Sequence, residues 1–282
     1  MRALGLCWGT VPRASLLAQI DAAVEAGYTT ISVSPEQYAG AQRSPTELRS
    51  RLNDSGISVE AVDPALTWLP GLPATPGAGL LSYDVDELID TAAALDAPWI
   101  NAAAALPGPW SEAQITESFA TLCGRAAEAG VGVLLEFVPW STVGDLSSAA
   151  RVVRDSGAAN AGVTFDVWHF HRGSGRLNEL SGRLNELISE DLALVRCVQI
   201  NDAAAEATAD AMTESISARL FPGDGVIDFG HLLPRLLAGA ATDVVSVEVF
   251  STELRRSPVP LVAKLAADAT HQVLAAAHQE DQ

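Results

Sequence analysis

The sequence predicts a single (β/α)8 TIM-type barrel domain over residues 1–282, and three observations carry that expectation. Short β-rich runs alternate with helix-like stretches almost from end to end, the pattern of parallel strands joined by crossover helices. The strand-like runs number eight, and eight such units close into a barrel. A chain of 282 residues is long for one domain, yet barrels of this kind occupy that length as one unit, so no internal boundary is required.

In chain order the strand-like runs are ALGLCW (3–8), TTISVS (29–34), ISVEAV (57–62), PWINAA (98–103), VGVLLEF (131–137), AGVTFDV (161–167), VRCVQI (195–200) and VVSVEVF (244–250). Between them lie stretches such as SLLAQIDAAVEAG (15–27), SPTELRSRLNDSG (44–56) and SEAQITESFATLCGRAAEAG (111–130). Each begins at a serine able to cap a helix N-terminus and ends at a glycine able to terminate it. The duplicated heptad SGRLNEL at 174–180 and 181–187 is too short for a solenoid. It reads as a local extension of the sixth helix, with Leu177, Leu180, Leu184 and Leu187 continuing one apolar stripe.

Apolar residues make up 48% of the chain and charged ones 18%, enough for a large core and far from the disordered regime. The formal charge of -18 arises from 35 acidic against 17 basic residues, and Lys264 is the lysine among them. Such a field repels nucleic acid and anionic membranes, which are bound by clustered Lys and Arg. MRALGLCWGTVP is too quickly broken by Gly and Pro to read as a signal peptide, and no run approaches a membrane span, so a soluble cytoplasmic protein is expected. Cys7, Cys123 and Cys197 are odd in number and set in apolar runs, the pattern of reduced buried thiols.

Four strand-like runs in the second half stop on or near a polar side chain: Glu136, Asp166, Gln199 and Glu248. A carboxylate at a strand end can cap a helix or pair with an arginine. Four oxygen-bearing groups at equivalent places around a closed sheet point instead to one shared cation, because a charge buried in an apolar run must be paired or bound to metal. Three carboxylates and an amide carbonyl form an all-oxygen set, which suits Mn²⁺ or Mg²⁺, with Co²⁺ able to substitute; zinc more often recruits His or Cys. The long segment after strand three (63–84) and the polar stretch 201–225 after strand seven lie on the same face, where they are placed to cover a substrate.

LLEFVPW, TFDVWHFH, VQIND, RLFPGDGVIDF and VEVF, in this order and spacing, resemble the sugar phosphate isomerase/epimerase group of xylose-isomerase-like TIM barrels. The resemblance covers essentially the whole chain and is specific for fold and metal site. It implies one divalent metal held by Glu136, Asp166, Gln199 and Glu248. Gln199 stands where the group commonly has His, a choice shared with some dehydratase-like members. The resemblance also implies substrate contacts by His169, three residues past Asp166, and by Arg219, just before FPGDG. In the group's epimerases the two glutamates, here Glu136 and Glu248, act as acid and base. Physically, a metal-bound oxygen acidifies the adjacent C–H by stabilising an enediolate, and carboxylates on opposite faces can remove and return the proton.

Trp8, Trp68, Trp110, Trp140 and Trp168 fall at or just past strand ends, where indoles are suited to walling a pocket. With no Lys near a strand end and only scattered Arg on that face, the small-molecule substrate is expected to be unphosphorylated: a neutral polyol, a cyclic ketone or a glycoside. The leading expectation is an isomerase or epimerase of a hydroxy-ketone. A lyase that expels water or an aglycone β to a carbonyl is the close alternative, in the manner of inosose or dehydroshikimate dehydratases or of 3-keto-glycoside cleavage. A non-catalytic binding barrel is the third. The oligomeric state is left open, a homo-oligomer included.

Overall fold

The computed structural model describes residues 3–173, 189–242 and 244–280. Eight parallel strands, hydrogen-bonded in sequence order, close into one barrel. They are β1 Ala3–Leu6, β2 Thr30–Val33, β3 Ser58–Ala65, β4 Trp99–Ala103, β5 Gly132–Glu136, β6 Ala161–Asp166, β7 Val195–Ile200 and β8 Val244–Val247. Each strand-like run overlaps one of them, and the ends of β3 and β8 bear on the site. β3 continues through Asp63 and Pro64 to Ala65, where the sequence suggested a loop. β8 stops at Val247, yet the Glu248 amide still donates to Ile200 O at 3.1 Å, so Glu248 stays in line with the sheet.

The intervening described helices are α1 Leu16–Ala26, α2 Pro35–Gly40, α3 Pro45–Ser55, α4 Val85–Ala94, α5 Glu112–Glu128, α6 Leu146–Ser156, α7 Val167–Arg172, α8 Ser189–Leu192, α9 Ala211–Ser217, α10 Phe229–Gly239 and α11 Val259–Glu280. The expected caps hold. Ser15 accepts from the Ala18 amide, and Gly27 ends α1 in the left-handed region at φ 82°, a conformation that glycine adopts without steric cost. Ser44 with Glu47 and Ser111 with Gln114 form capping boxes at the starts of α3 and α5. The duplicated heptad at 174–187 lies outside the described residues.

Outward-facing strand residues such as Leu6, Ile31, Ile100, Val163, Phe165, Val198 and Val247 are fully buried between sheet and helices. Each contributes about 1.5–3 kcal/mol relative to exposure. The alternate positions face the barrel interior and are largely polar. Register pairs Asp166 with Gln199 and Gln199 with Ser246, which sets these side chains at one level. The two-residue period of a strand then puts Glu248 on the Ser246 face, one step nearer the C-terminal mouth. β1 pairs with β8 to close the ring, and the Tyr28 hydroxyl donates to Ala263 O at 2.9 Å, tying the start of β2 to α11. No described helix is long and apolar enough to cross a membrane.

Candidate active site

Asp166 ends β6 and caps α7: its Oδ1 accepts from the His169 amide at 2.8 Å. Its Oδ2 accepts from Asn201 Nδ2 at 2.8 Å and from Arg219 Nη1 at 2.7 Å. Burial pushes this carboxyl up, but Arg219 and these hydrogen bonds outweigh it and hold Asp166 below the usual range. The same Arg219 nitrogen donates to Glu248 Oε2 at 2.8 Å. Asp166 is thus both a helix cap and an arginine partner while facing the centre of the site.

Glu248 Oε1 accepts from Gln199 Nε2 at 2.9 Å and meets the Cys7 thiol at 3.0 Å. Burial raises this carboxyl well above its ordinary value, and the charges of Glu136 and Asp63 add to the effect against the pull of Arg219. Glu136, the last residue of β5, accepts from Asn101 Nδ2 at 2.8 Å and lies 3.2 Å from His169 Nε2, close enough to share one proton. Burial, then the charges of Asp63 and Asp166, push Glu136 up to about 8. His169 is driven down to about 3, chiefly by burial, so its ring is neutral.

Arg219 is held rigidly. Its Nε and Nη2 donate to Ser215 O at 2.7 Å and Ser215 Oγ at 2.8 Å, and the guanidinium sits 5.6 Å from the Trp168 ring and 5.4 Å from Phe250. Asp63 and Asn101, neither singled out in the sequence, complete the floor. Asp63 accepts from Trp8 Nε1 and Asn101 Nδ2, both at 2.9 Å, and Asn101 Oδ1 accepts from Thr164 at 2.7 Å. Cys7 is buried, as expected, with its thiol 3.0 Å from Glu248 Oε1 and 3.1 Å from the Ser32 hydroxyl.

A cavity of about 740 Å³ opens above this floor, lined by Glu136, Glu248, His169, Arg219, Asp63, Trp8 and Trp140 among others. Both long segments supply lining residues, Leu66 and Leu80 from the first and Met212, Ser215 and Ile216 from the second. Three of the five tryptophans do not reach the cavity. Trp68 and Trp110 turn their indole N–H groups onto the carbonyls of Ala103 (3.1 Å) and Pro70 (2.9 Å), fastening neighbouring loops. Trp168 is fully buried as the platform beneath Arg219. Phe250, two residues past Glu248, takes a place on the wall, resting over Gly9, where any side chain would collide with its ring.

The donor chemistry fits a divalent cation. Gln199 Oε1 is buried without a hydrogen-bond partner, an amide oxygen left available for ligation. Asp63, Glu136, Asp166 and Glu248 crowd four buried carboxyl groups around the single guanidinium of Arg219. Among the described residues the ligand atoms fall into two trios within 4.8 Å of one another, Glu136, Asp166 and His169 in one and Cys7, Asp63 and Glu248 in the other. Arg219 Nη1 stands between them, bonded to one carboxylate of each.

A family model described as xylose isomerase-like TIM barrel matches residues 20–273. An inosose isomerase of Halalkalibacterium halodurans is 26% identical over 194 residues, 66% of this chain and 65% of that protein. Another, from Bacillus velezensis, is 30% identical over 147 residues, 51% of this chain and 49% of that protein. The matched stretches thus span between about half and two thirds of those curated relatives. Among solved structures, the IOLI protein with a bound zinc atom superposes with a TM-score of 0.78 at 20% identity, covering 98% of each chain. The barrel's strand order and the extent of the family match agree: this chain belongs to the xylose isomerase-like TIM barrel family.

Proposed function

We propose that the protein is a divalent-metal-dependent isomerase or epimerase acting on a hydroxy-ketone, a sugar or cyclic polyol. One observation carries the reading: two buried glutamates, Glu136 on β5 and Glu248 beyond β8, face a single cavity large enough for such a molecule, with the Arg219 guanidinium bonded to Glu248. The match to inosose isomerases supports the substrate class. Glu136, Asp166, Gln199 and Glu248 would hold the ion, Mn²⁺ or Mg²⁺ by their oxygen chemistry, with Co²⁺ able to replace it. When bound, the ion supplies Lewis acidity at the substrate's carbonyl and hydroxyl oxygens.

This chain's own groups do the rest. One glutamate takes the proton from the carbon beside the carbonyl, and the other returns a proton to the opposite face for epimerisation or to the neighbouring carbon for isomerisation. His169 Nε2 lies 3.2 Å from Glu136 Oε1, so the imidazole is placed to hydrogen-bond that carboxyl through proton transfer. Arg219 presents its guanidinium to the oxygens on which negative charge grows, and its bonds to Ser215 keep it from reorienting as that happens. The walls formed by Trp8 and Trp140 exclude water, and the Trp140 ring meets His169 edge-on at 5.5 Å.

The test is incubation of Mn²⁺-loaded protein with a panel of ketoses, inososes and 3-keto-glycosides in D₂O. Deuterium at carbon without loss of mass supports the reading. Release of water or an aglycone replaces it with the lyase alternative. A metal-replete protein that leaves every member unchanged overturns both.

A further inference from the structure

The outer half of the cavity has a composition unlike the rest of the molecule. In a chain of net charge -18 with only sixteen arginines, three of them, Arg13, Arg255 and Arg256, line this one cavity above the floor. The barrel's closure puts them on the loops of two adjoining strands. Arg13 lies in the loop after β1, Arg255 and Arg256 lie in the short turn Leu254–Arg256 after β8, and β1 and β8 are hydrogen-bonded neighbours.

Elsewhere the described arginines mostly meet a carboxylate, as Arg51 does with Asp21, Arg125 with Asp86 and Arg172 with Glu214. The rim arginines do not. Among the described residues Arg255 donates to Ile216 O, at 3.0 Å, and none of Arg13, Arg255 and Arg256 forms an ion pair. With 35 acidic side chains in the sequence, leaving three guanidinium groups unpaired at one mouth concentrates positive potential where the rest of the surface is negative. Glu36 is the acid that lines the cavity outside the floor cluster. Between floor and rim the wall is apolar, with Leu66, Leu106, Met212 and Phe250.

From this arrangement we infer that the substrate is an anionic hydroxy-ketone, its carbonyl end on the Glu136–Glu248 floor and a carboxylate or phosphate at its far end held by Arg13, Arg255 and Arg256. Guanidinium groups bind both anions through paired N–H donors. The inference rests on the proposed function for the identity of the carbonyl end, while the anion site stands on the rim alone. It also removes the premise for a neutral substrate: arginines scattered in sequence are gathered by the fold.

The experiment compares D-fructose with D-fructuronate, D-fructose 6-phosphate and D-sedoheptulose 7-phosphate on the full chain loaded with Mn²⁺. Calorimetry reads equilibrium binding, and NMR in D₂O reads exchange at carbon. The expected result is that at least one anionic ketose binds about tenfold or more tighter than fructose, the worth of one charge-assisted contact. That ratio should shrink as salt rises from about 0.05 to 0.5 M and fall toward one in an Arg13→Gln/Arg255→Gln/Arg256→Gln variant. Preference for fructuronate assigns a carboxylate, and preference for either sugar phosphate assigns a phosphate. Equal binding of all four, or a preference that survives the triple substitution, overturns the inference. Carbon exchange without anion preference leaves the proposed function standing and sinks this inference; anion preference without exchange on any ketose does the reverse.

Discussion

Arg219 Nη1 lies 2.7 Å from Asp166 Oδ2, an ion pair whose side chains are 2% and 0% exposed. The same nitrogen reaches Glu248 Oε2 at 2.8 Å, so one guanidinium balances carboxylates from two non-adjacent strands. It therefore competes for the oxygens that a metal ion would use. Removing one partner of such a buried pair leaves a stranded charge, which typically costs more than the pair contributes.

Asp166→Asn should accordingly lose both metal and stability. It deletes one of three anionic ligands in the proposed set and leaves Arg219 with Glu248 alone. Metal content after gel filtration should fall to a small fraction of wild type, and denaturant unfolding should show a loss on the order of 3 kcal/mol. A variant with full metal occupancy and an unchanged midpoint contradicts the assignment.

Arg219→Met separates the cation's two jobs. Without metal the variant should melt well below wild type, because buried Asp166 loses the guanidinium that holds it ionised. Adding Mn²⁺ should raise its melting temperature more than it raises that of wild type, since no guanidinium competes for Asp166 and Glu248. Equal metal-induced shifts would show that Arg219 and the ion do not share those oxygens.

Gln199 tests whether the partnerless Oε1 is a ligand. Chelation should abolish turnover, with Mn²⁺ or Mg²⁺ restoring it. Gln199→Leu, which removes the oxygen at similar size, should weaken metal affinity by about tenfold, the loss of one ligating oxygen. Affinity measured by competition with a fluorescent chelator checks it.

A pH effect should arise from a carboxyl that the proposed chemistry does not use. Glu60 on β3 is raised to about 7 by burial, with the charge of Asp63 adding and the Ser246 hydroxyl opposing. The folded chain thus keeps a proton that the unfolded chain, at the ordinary 4.5, releases. The resulting stability is complete below 4.5 and is lost as pH rises through 7. Unfolding midpoints of metal-free protein at about pH 5 and about pH 8 should differ less in Glu60→Gln than in wild type.

What was legible in the sequence follows from periodicity. Apolar runs with polar residues at their ends mark strands wherever both faces of the strand are distinctive, so the sequence points to Glu136, Asp166, Gln199 and Glu248, and all four are buried at or just past strand ends. Asp63 was missed because the proline after it reads as the start of a loop, whereas β3 runs through both residues. Asn101 was missed because a neutral amide inside PWINAA carries no charge signal; its role shows only when its amide meets Asp63 and Glu136 at once. Indole positions were legible but their directions were not: a loop tryptophan faces the mouth or clasps a neighbouring carbonyl according to the path of the other loops. The gathering of Arg13 with Arg255 and Arg256 depends on the pairing of the first strand with the last, which no local pattern reveals.

Glu136 and Glu248 are the proposed proton-transferring pair, and the most direct measurement is the turnover of Glu248→Gln and Glu136→Gln beside their metal content. Gln keeps the shape and an oxygen donor while removing the capacity to carry a proton. Each variant should retain substantial Mn²⁺ and lose about 10²- to 10⁴-fold in kcat, with solvent deuterium exchange at the substrate carbon falling in step. A Glu248→Gln protein that holds its metal and turns over at the wild-type rate would contradict the two-glutamate mechanism and pass the proton to another group, with His169 first in line.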